Sequence, residues 1–178
     1  MEMELGVLSP TGRRSIMLRI ALKGLLAGAA GTIALDIATY ADMALRGRSP
    51  SDAPSKMVST FANMFHVPLL SQGVGAQDLT AQNRASGLGA LLGYINGLGT
   101  GVVYSLLRSQ RDELPLPFAG TLVGLAAMAA SDVPLVMLKV SDPKTWGASG
   151  WLADFIFHLI YGFVTAITYE TLSNVCRE

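Results

Sequence analysis

The chain has 178 residues, 51% of them hydrophobic and 15% charged, with a formal net charge of zero. That is too apolar for an ordinary soluble domain of this length and points to the membrane class. Zero net charge without a basic stripe argues against a nucleic-acid binder, and the single cysteine, Cys176, cannot form an internal disulfide.

A bilayer span needs about 20 apolar residues. Four stretches meet that length, roughly 24–45, 87–107, 116–138 and 151–172, within a single domain over 1–178. The first is preceded by Arg13, Arg14, Arg19 and Lys23, and runs into Thr39-Tyr40-Ala41, a pattern shared with export signals. Its length, the acid Asp36 within it, and Glu2 and Glu4 at the start argue that it is kept as a span.

The loop 46–86 follows. Met57, Phe61, Met64 and Phe65 share one helical face, Ser51 and Asp52 can cap the start, and Pro54 suits the first turn. This predicts an amphipathic helix over about 53–66, on the membrane or over the bundle mouth. His66, just after it, reads as a surface residue, and Asp42 with Arg46 as an interfacial ion pair. Tyr40, Trp146 and Trp151 sit at the same boundary, as aromatic belts do.

Each span carries a stripe at four-residue spacing, which is one helix face. The stripes are Gly24, Gly28, Thr32, Asp36; then Gly89, Gly93, Gly97, Gly101; then Gly120, Gly124, Met128, Asp132; then Asp154, His158, Gly162, Ala166. Small residues let helices approach closely in lipid. The acids share the glycine faces and should point inward. Pro134, two residues after Asp132, is expected to kink the third span and free carbonyls beside the acid.

The first and third spans align at an offset of 96, which pairs Gly24 with Gly120, Gly28 with Gly124 and Asp36 with Asp132. The second and fourth align at an offset of 65, which pairs Gly97 with Gly162 and Tyr104 with Tyr169. The expected fold is therefore all-α: four transmembrane helices as two tandem hairpins, a parallel repeat with its pseudo-two-fold along the membrane normal. On the second alignment Asp154 matches Gly89 and His158 matches Gly93. One half supplies charge where the other supplies space, which predicts a cavity between Asp154/His158 and the Gly89/Gly93 face.

A buried carboxylate in a span is costly and is a functional-site hypothesis by default. The expected ligand or ion site is Asp36, Asp132, Asp154 and His158 in one half of the bilayer, with Asn96 nearer mid-depth. Three functions fit. The first is proton or cation relay, or capture of a small ligand, with His158 titratable beside Asp154 and the chain acting as a homo-oligomer. The second is a non-catalytic accessory or assembly subunit docked to a partner membrane protein. The third is a metal enzyme on Asp154-x3-His158 completed by Asp36 and Asp132. That last signal is weak: the spans hold no second histidine and no H-E-x-x-H, nucleophile elbow or phosphate loop. The sequence leaves the cofactor unknown.

Basic residues divide seven to six between the two sides, so the positive-inside rule leans on the first helix. It then places both termini in the cytoplasm, with the acids in the outer half of the membrane.

The runs Thr39-Tyr40-Ala41-Asp42-Met43-Ala44-Leu45-Arg46-Gly47-Arg48 with Ser51 and Pro54, and Asp142-Pro143-x2-Trp146…Trp151-x2-Asp154-x3-His158-x2-Tyr161-Gly162, carry a resemblance over nearly the whole chain. On these residues the chain resembles a group of small uncharacterised four-span membrane proteins of actinobacteria. The resemblance implies an intact four-span protein and transfers no catalytic role.

Overall fold

The structure is a computed structural model and describes residues 9–67, 79–110 and 114–175. Cys176 and part of the first long loop lie outside the described residues. All regular structure among the described residues is helical: α1 (Pro10–Arg46), α2 (Ala53–Met64), α3 (Leu79–Arg108), α4 (Leu116–Met137), a 3₁₀ turn (Pro143–Thr145) and α5 (Gly147–Val175). Four of these helices, α1, α3, α4 and α5, are long and apolar enough to cross a membrane, so this is a membrane protein with a helical bundle.

α1 starts 14 residues before the span read from the sequence. Ser9 Oγ accepts the Gly12 N–H at 3.2 Å and Pro10 occupies the first turn, so the helix is capped well ahead of its apolar run. It ends at Gly47, whose φ of +63° is the left-handed conformation that glycine adopts freely.

α2 is initiated by Pro54 in the first turn, while the Asp52 carboxylate bonds Lys56 Nζ at 2.7 Å rather than a backbone N–H. Met57 and Ala62 are buried and Phe61 is half-buried, whereas Met64 and Phe65 are exposed. The helix lies along the start of α3, where Ala81, Ala85 and Gly89 are buried. His66 closes it with φ +55°, and the Val67 N–H bonds back to the Ala62 carbonyl at 2.8 Å. Lys139 ends α4 in the same way, with the Val140 N–H on the Leu135 carbonyl at 2.8 Å. α4 runs on through Pro134 to Met137.

The spans form a ring. α1 packs on α3 and α5, α5 packs on α4, and a shorter α3–α4 contact closes it. Large aliphatic side chains such as Leu26, Ile33, Ile37, Leu91, Ile95 and Leu122 are left on the outside, where lipid is their solvent. Lipid supplies no hydrophobic force between helices, so close packing must hold the ring.

Two glycine crossings do this. A Cβ on Gly101 would lie 2.6 Å from Gly28 Cα and 2.7 Å from Gly28 N. A Cβ on Gly162 would lie 2.7 Å from Gly124 Cα and also meet Gly124 N. Each partner helix therefore offers the same backbone atoms to one glycine. Gly101 and Gly162 thus make similar backbone contacts, whereas the sequence alignment sets Gly97 beside Gly162. Repeated small residues every four positions make that difference invisible in sequence.

Tyrosines tie α5 to α3 across the centre. Tyr161, 1% exposed, donates to the Gly97 carbonyl at 2.6 Å, and two turns on Tyr169 donates to the Ser105 carbonyl at 3.3 Å. Tyr104 and Tyr169 meet edge to face with centroids 5.4 Å apart. Beside them Arg108 Nε donates to Glu170 Oε1 at 2.6 Å.

Candidate functional site

The crossings place the polar residues. In the first hairpin a Cβ on Gly97 would meet the Thr32 hydroxyl, and one turn further out Asp36 comes level with Gly93. In the second hairpin the same step brings Asp132 level with Asp154. The two carboxyl groups are close enough for each to feel the other's charge. The neighbours of Gly97 are Thr32 and Tyr161, and Gly93 has none within 4 Å, so neither glycine faces Asp154 or His158.

Asp132, Asp154 and His158 do come together. His158 Nδ1 is 2.9 Å from the Asp154 carbonyl oxygen and 3.2 Å from Asp154 Oδ1. The imidazole is 13% exposed and the Asp154 side chain 28%. His158 Nε2 is 3.4 Å from Ser131 Oγ. Ser131 Oγ also donates to its own helix, to the carbonyls of Met128 at 2.9 Å and Ala127 at 3.2 Å. Asn96 joins from α3, with Nδ2 donating to the Ala127 carbonyl at 3.4 Å. One polar chain thus runs from Asn96 across the α3–α4 seam to the acids.

Four buried side-chain oxygens have no hydrogen-bond partner among the described residues: Tyr104 Oη, Thr165 Oγ1, Asp132 Oδ2 and Asp154 Oδ2. The last two belong to neighbouring carboxyl groups. A buried polar atom without a partner costs about 1–3 kcal/mol, and more when it carries charge. Two carboxylates side by side add mutual repulsion. The arrangement is satisfied by one proton shared between the acids, or by a cation seated between them.

Asp36 stands apart. It turns to α3, where the Tyr94 hydroxyl donates to Oδ2 at 3.2 Å. Tyr94 is 44% exposed, and a Cβ on Gly93 would meet nothing within 4 Å, so this pair faces an open side. The four-ligand set Asp36, Asp132, Asp154 and His158 is therefore not assembled. Among the described residues no group of three or more His, Cys, Asp or Glu side chains is placed to hold a metal ion.

The expected cavity lining also changes. Gly89 is buried not toward His158 but under α2: a Cβ there would lie 2.8 Å from the Pro54 carbonyl carbon and 2.9 Å from Ser55 N. The loop helix fills the space that the second-span glycines leave. Gly93 remains open, one turn inside that roof.

At the membrane boundary Asp42 pairs with Arg46 at 3.2 Å, as its spacing implies, and more closely with Arg48 at 2.8 Å. Trp146 and Trp151 stack with centroids 4.7 Å apart, their Nε1 groups bonded to Ser141 Oγ and the Pro143 carbonyl. Sequence reasoning missed Ser131 and Tyr94. Each is a hydroxyl within a turn of a candidate residue on the neighbouring helix, a signal usable only once the register is known.

Comparison of the chain with protein-family models, with curated proteins and with solved structures gives no match in any of the three.

Proposed function

We propose that this is a small bacterial plasma-membrane protein that takes up a proton, or a small cation in its place, at the Asp132–Asp154 pair. His158 is the adjacent titratable group. The support is the pair of buried Oδ2 atoms that no donor among the described residues reaches. Glu170 is paired with a permanent cation, Arg108, at 2.6 Å, whereas Asp154 meets only the titratable His158. In this reading the Arg13–Lys23 end lies in the cytoplasm and the acid pair in the outer half of the bilayer. The two hairpins are a duplicated unit of parallel-repeat type. α2 is an interfacial helix whose exposed Met64 and Phe65 meet the lipid headgroup region.

The test is flux through the purified protein in liposomes loaded with a pH-sensitive dye. An imposed pH gradient should decay faster with the protein than in empty liposomes. Asp132→Asn and Asp154→Asn should return the decay to the empty-liposome rate. Decay at that rate with the unsubstituted protein, across sodium, potassium and ammonium salts, would overturn the reading.

A second reading, an accessory subunit, is favoured by one observation. The Asp36–Tyr94 pair lies at an open lateral face beside Gly93. A basic side chain on a partner membrane helix would neutralise it. Asp36→Asn would then release a co-purifying polypeptide while leaving proton flux unchanged.

A further inference from the structure

The two nitrogens of His158 meet different kinds of atom. Both atoms facing Nδ1 are oxygens of Asp154: the carbonyl at 2.9 Å, which only accepts, and Oδ1 at 3.2 Å. A bare Nδ1 would turn its lone pair on the carbonyl oxygen. With a proton it donates to either. Nε2 faces a hydroxyl, Ser131 Oγ at 3.4 Å, and a hydroxyl serves as donor or acceptor.

The Ser131 hydroxyl has two further acceptors in reach, the Met128 carbonyl at 2.9 Å and the Ala127 carbonyl at 3.2 Å. When its proton is on one of them, an oxygen lone pair is left to accept from a protonated Nε2. When Nε2 is bare, the same hydroxyl can rotate and donate to it. Ser131 therefore satisfies both charge states without moving a backbone atom, whereas Asp154 satisfies only a protonated Nδ1. The titratable groups facing the ring are Asp154 on its own helix and Asp132 on α4. α1 turns Asp36 to Tyr94, and α3 sends the uncharged Asn96 to the Ala127 carbonyl.

We infer that the Nδ1 proton of His158 is fixed on Asp154 and that Nε2 is the nitrogen that gains and loses a proton, with Ser131 as its positioning residue. Neutral histidine in water favours the opposite tautomer, with the proton on Nε2, so the assignment is specific to this site. It rests on the reading of the cluster as a proton-taking site and adds the port. The proton that His158 gains and loses sits on the Ser131 side of the ring, next to the α3–α4 seam that Asn96 bridges, and is distinct from the one taken up at the acid pair. The second ring nitrogen of a functional histidine is commonly held this way by a carbonyl or carboxylate.

The experiment is side-chain ¹⁵N NMR of the full chain in lipid nanodiscs, with His66→Gln so that His158 is the only histidine left of the two. At high pH the bare nitrogen should be Nε2, and lowering the pH should protonate it while Nδ1 stays protonated. A bare Nδ1 at high pH would overturn the inference whether or not the liposomes show flux. In Ser131→Ala the Nε2–H signal at low pH should be lost to exchange, and Ser131→Thr should keep it. A persistent signal in Ser131→Ala would remove Ser131 from the account. Loss of flux with this nitrogen assignment intact would instead count against the transport reading alone.

Discussion

The two ends of the bundle bury charge in opposite ways. At the end where α3 and α5 finish, Arg108 meets Glu170 at 2.6 Å, and Tyr169 spends its hydroxyl on the Ser105 carbonyl. At the other end Asp132 meets Asp154, like against like, and one oxygen of each has no partner. Stability explains the first arrangement, because an opposite charge repays part of the desolvation cost. It does not explain the second, which lowers stability unless a positive charge is supplied, by a proton on His158 or on the acids or by an added cation. Tyr104 Oη and Thr165 Oγ1 also lack partners, but only here, among the described residues, do two acids face each other, and a site that breaks a local rule in this way is where function is expected.

Between the ends lie the two glycine crossings, and breaking them removes the comparison altogether. Gly101→Leu or Gly162→Leu drives side-chain carbons into Gly28 or Gly124 backbone atoms. Each should cost more than about 4 kcal/mol, seen as loss of the folded species by steric trapping or thermal aggregation in detergent. The ends themselves respond less and with opposite sign. Glu170→Gln takes the carboxylate from Arg108, and with Glu170 30% exposed the loss should be about 1–2 kcal/mol, with flux retained. Asp132→Asn removes the repulsion and gives the Asp154 oxygen an amide donor. Stability should be unchanged or rise by up to about 1 kcal/mol, while flux is lost.

Two smaller changes sharpen the contrast by separating Asp36 from the cluster. Tyr94→Phe removes the donor to Asp36 at a half-exposed site and should cost about 0.5 kcal/mol in an unfolding titration. Gly93→Leu adds bulk where a Cβ meets nothing, so its effect should stay below about 0.5 kcal/mol. The cavity expected between Gly93 and His158 would have made that substitution severe. Gly89→Leu is the contrasting control, since it would dislodge the start of α2 from α3.

Much of this was legible in the sequence. Four apolar runs gave the spans, and acids within them marked Asp132, Asp154 and His158, because lipid makes both features conspicuous. Four things were not legible. The helix α1 begins at Pro10 because Ser9 caps it and nothing from 11 to 23 breaks it, yet the bases there hide it from a hydropathy reading. The sequence alignment sets Gly97, not Gly101, beside Gly162, since a ladder of glycines every four residues fits either register. Asp36 shares a sequence frame with Asp132 but accepts from the Tyr94 hydroxyl, whereas Asp132 neighbours a second acid. The space at Gly89 was filled by Pro54 and Ser55 from a loop whose docking no periodicity reveals.

The most direct test of the contrast between the ends sets Glu170→Gln beside Asp132→Asn in the same lipid, measuring unfolding free energy and proton flux on both. The account predicts that Glu170→Gln loses stability and keeps flux, and that Asp132→Asn keeps stability and loses flux. If both variants lose stability alike and flux merely follows the folded fraction, the acid pair is structural and the account is wrong.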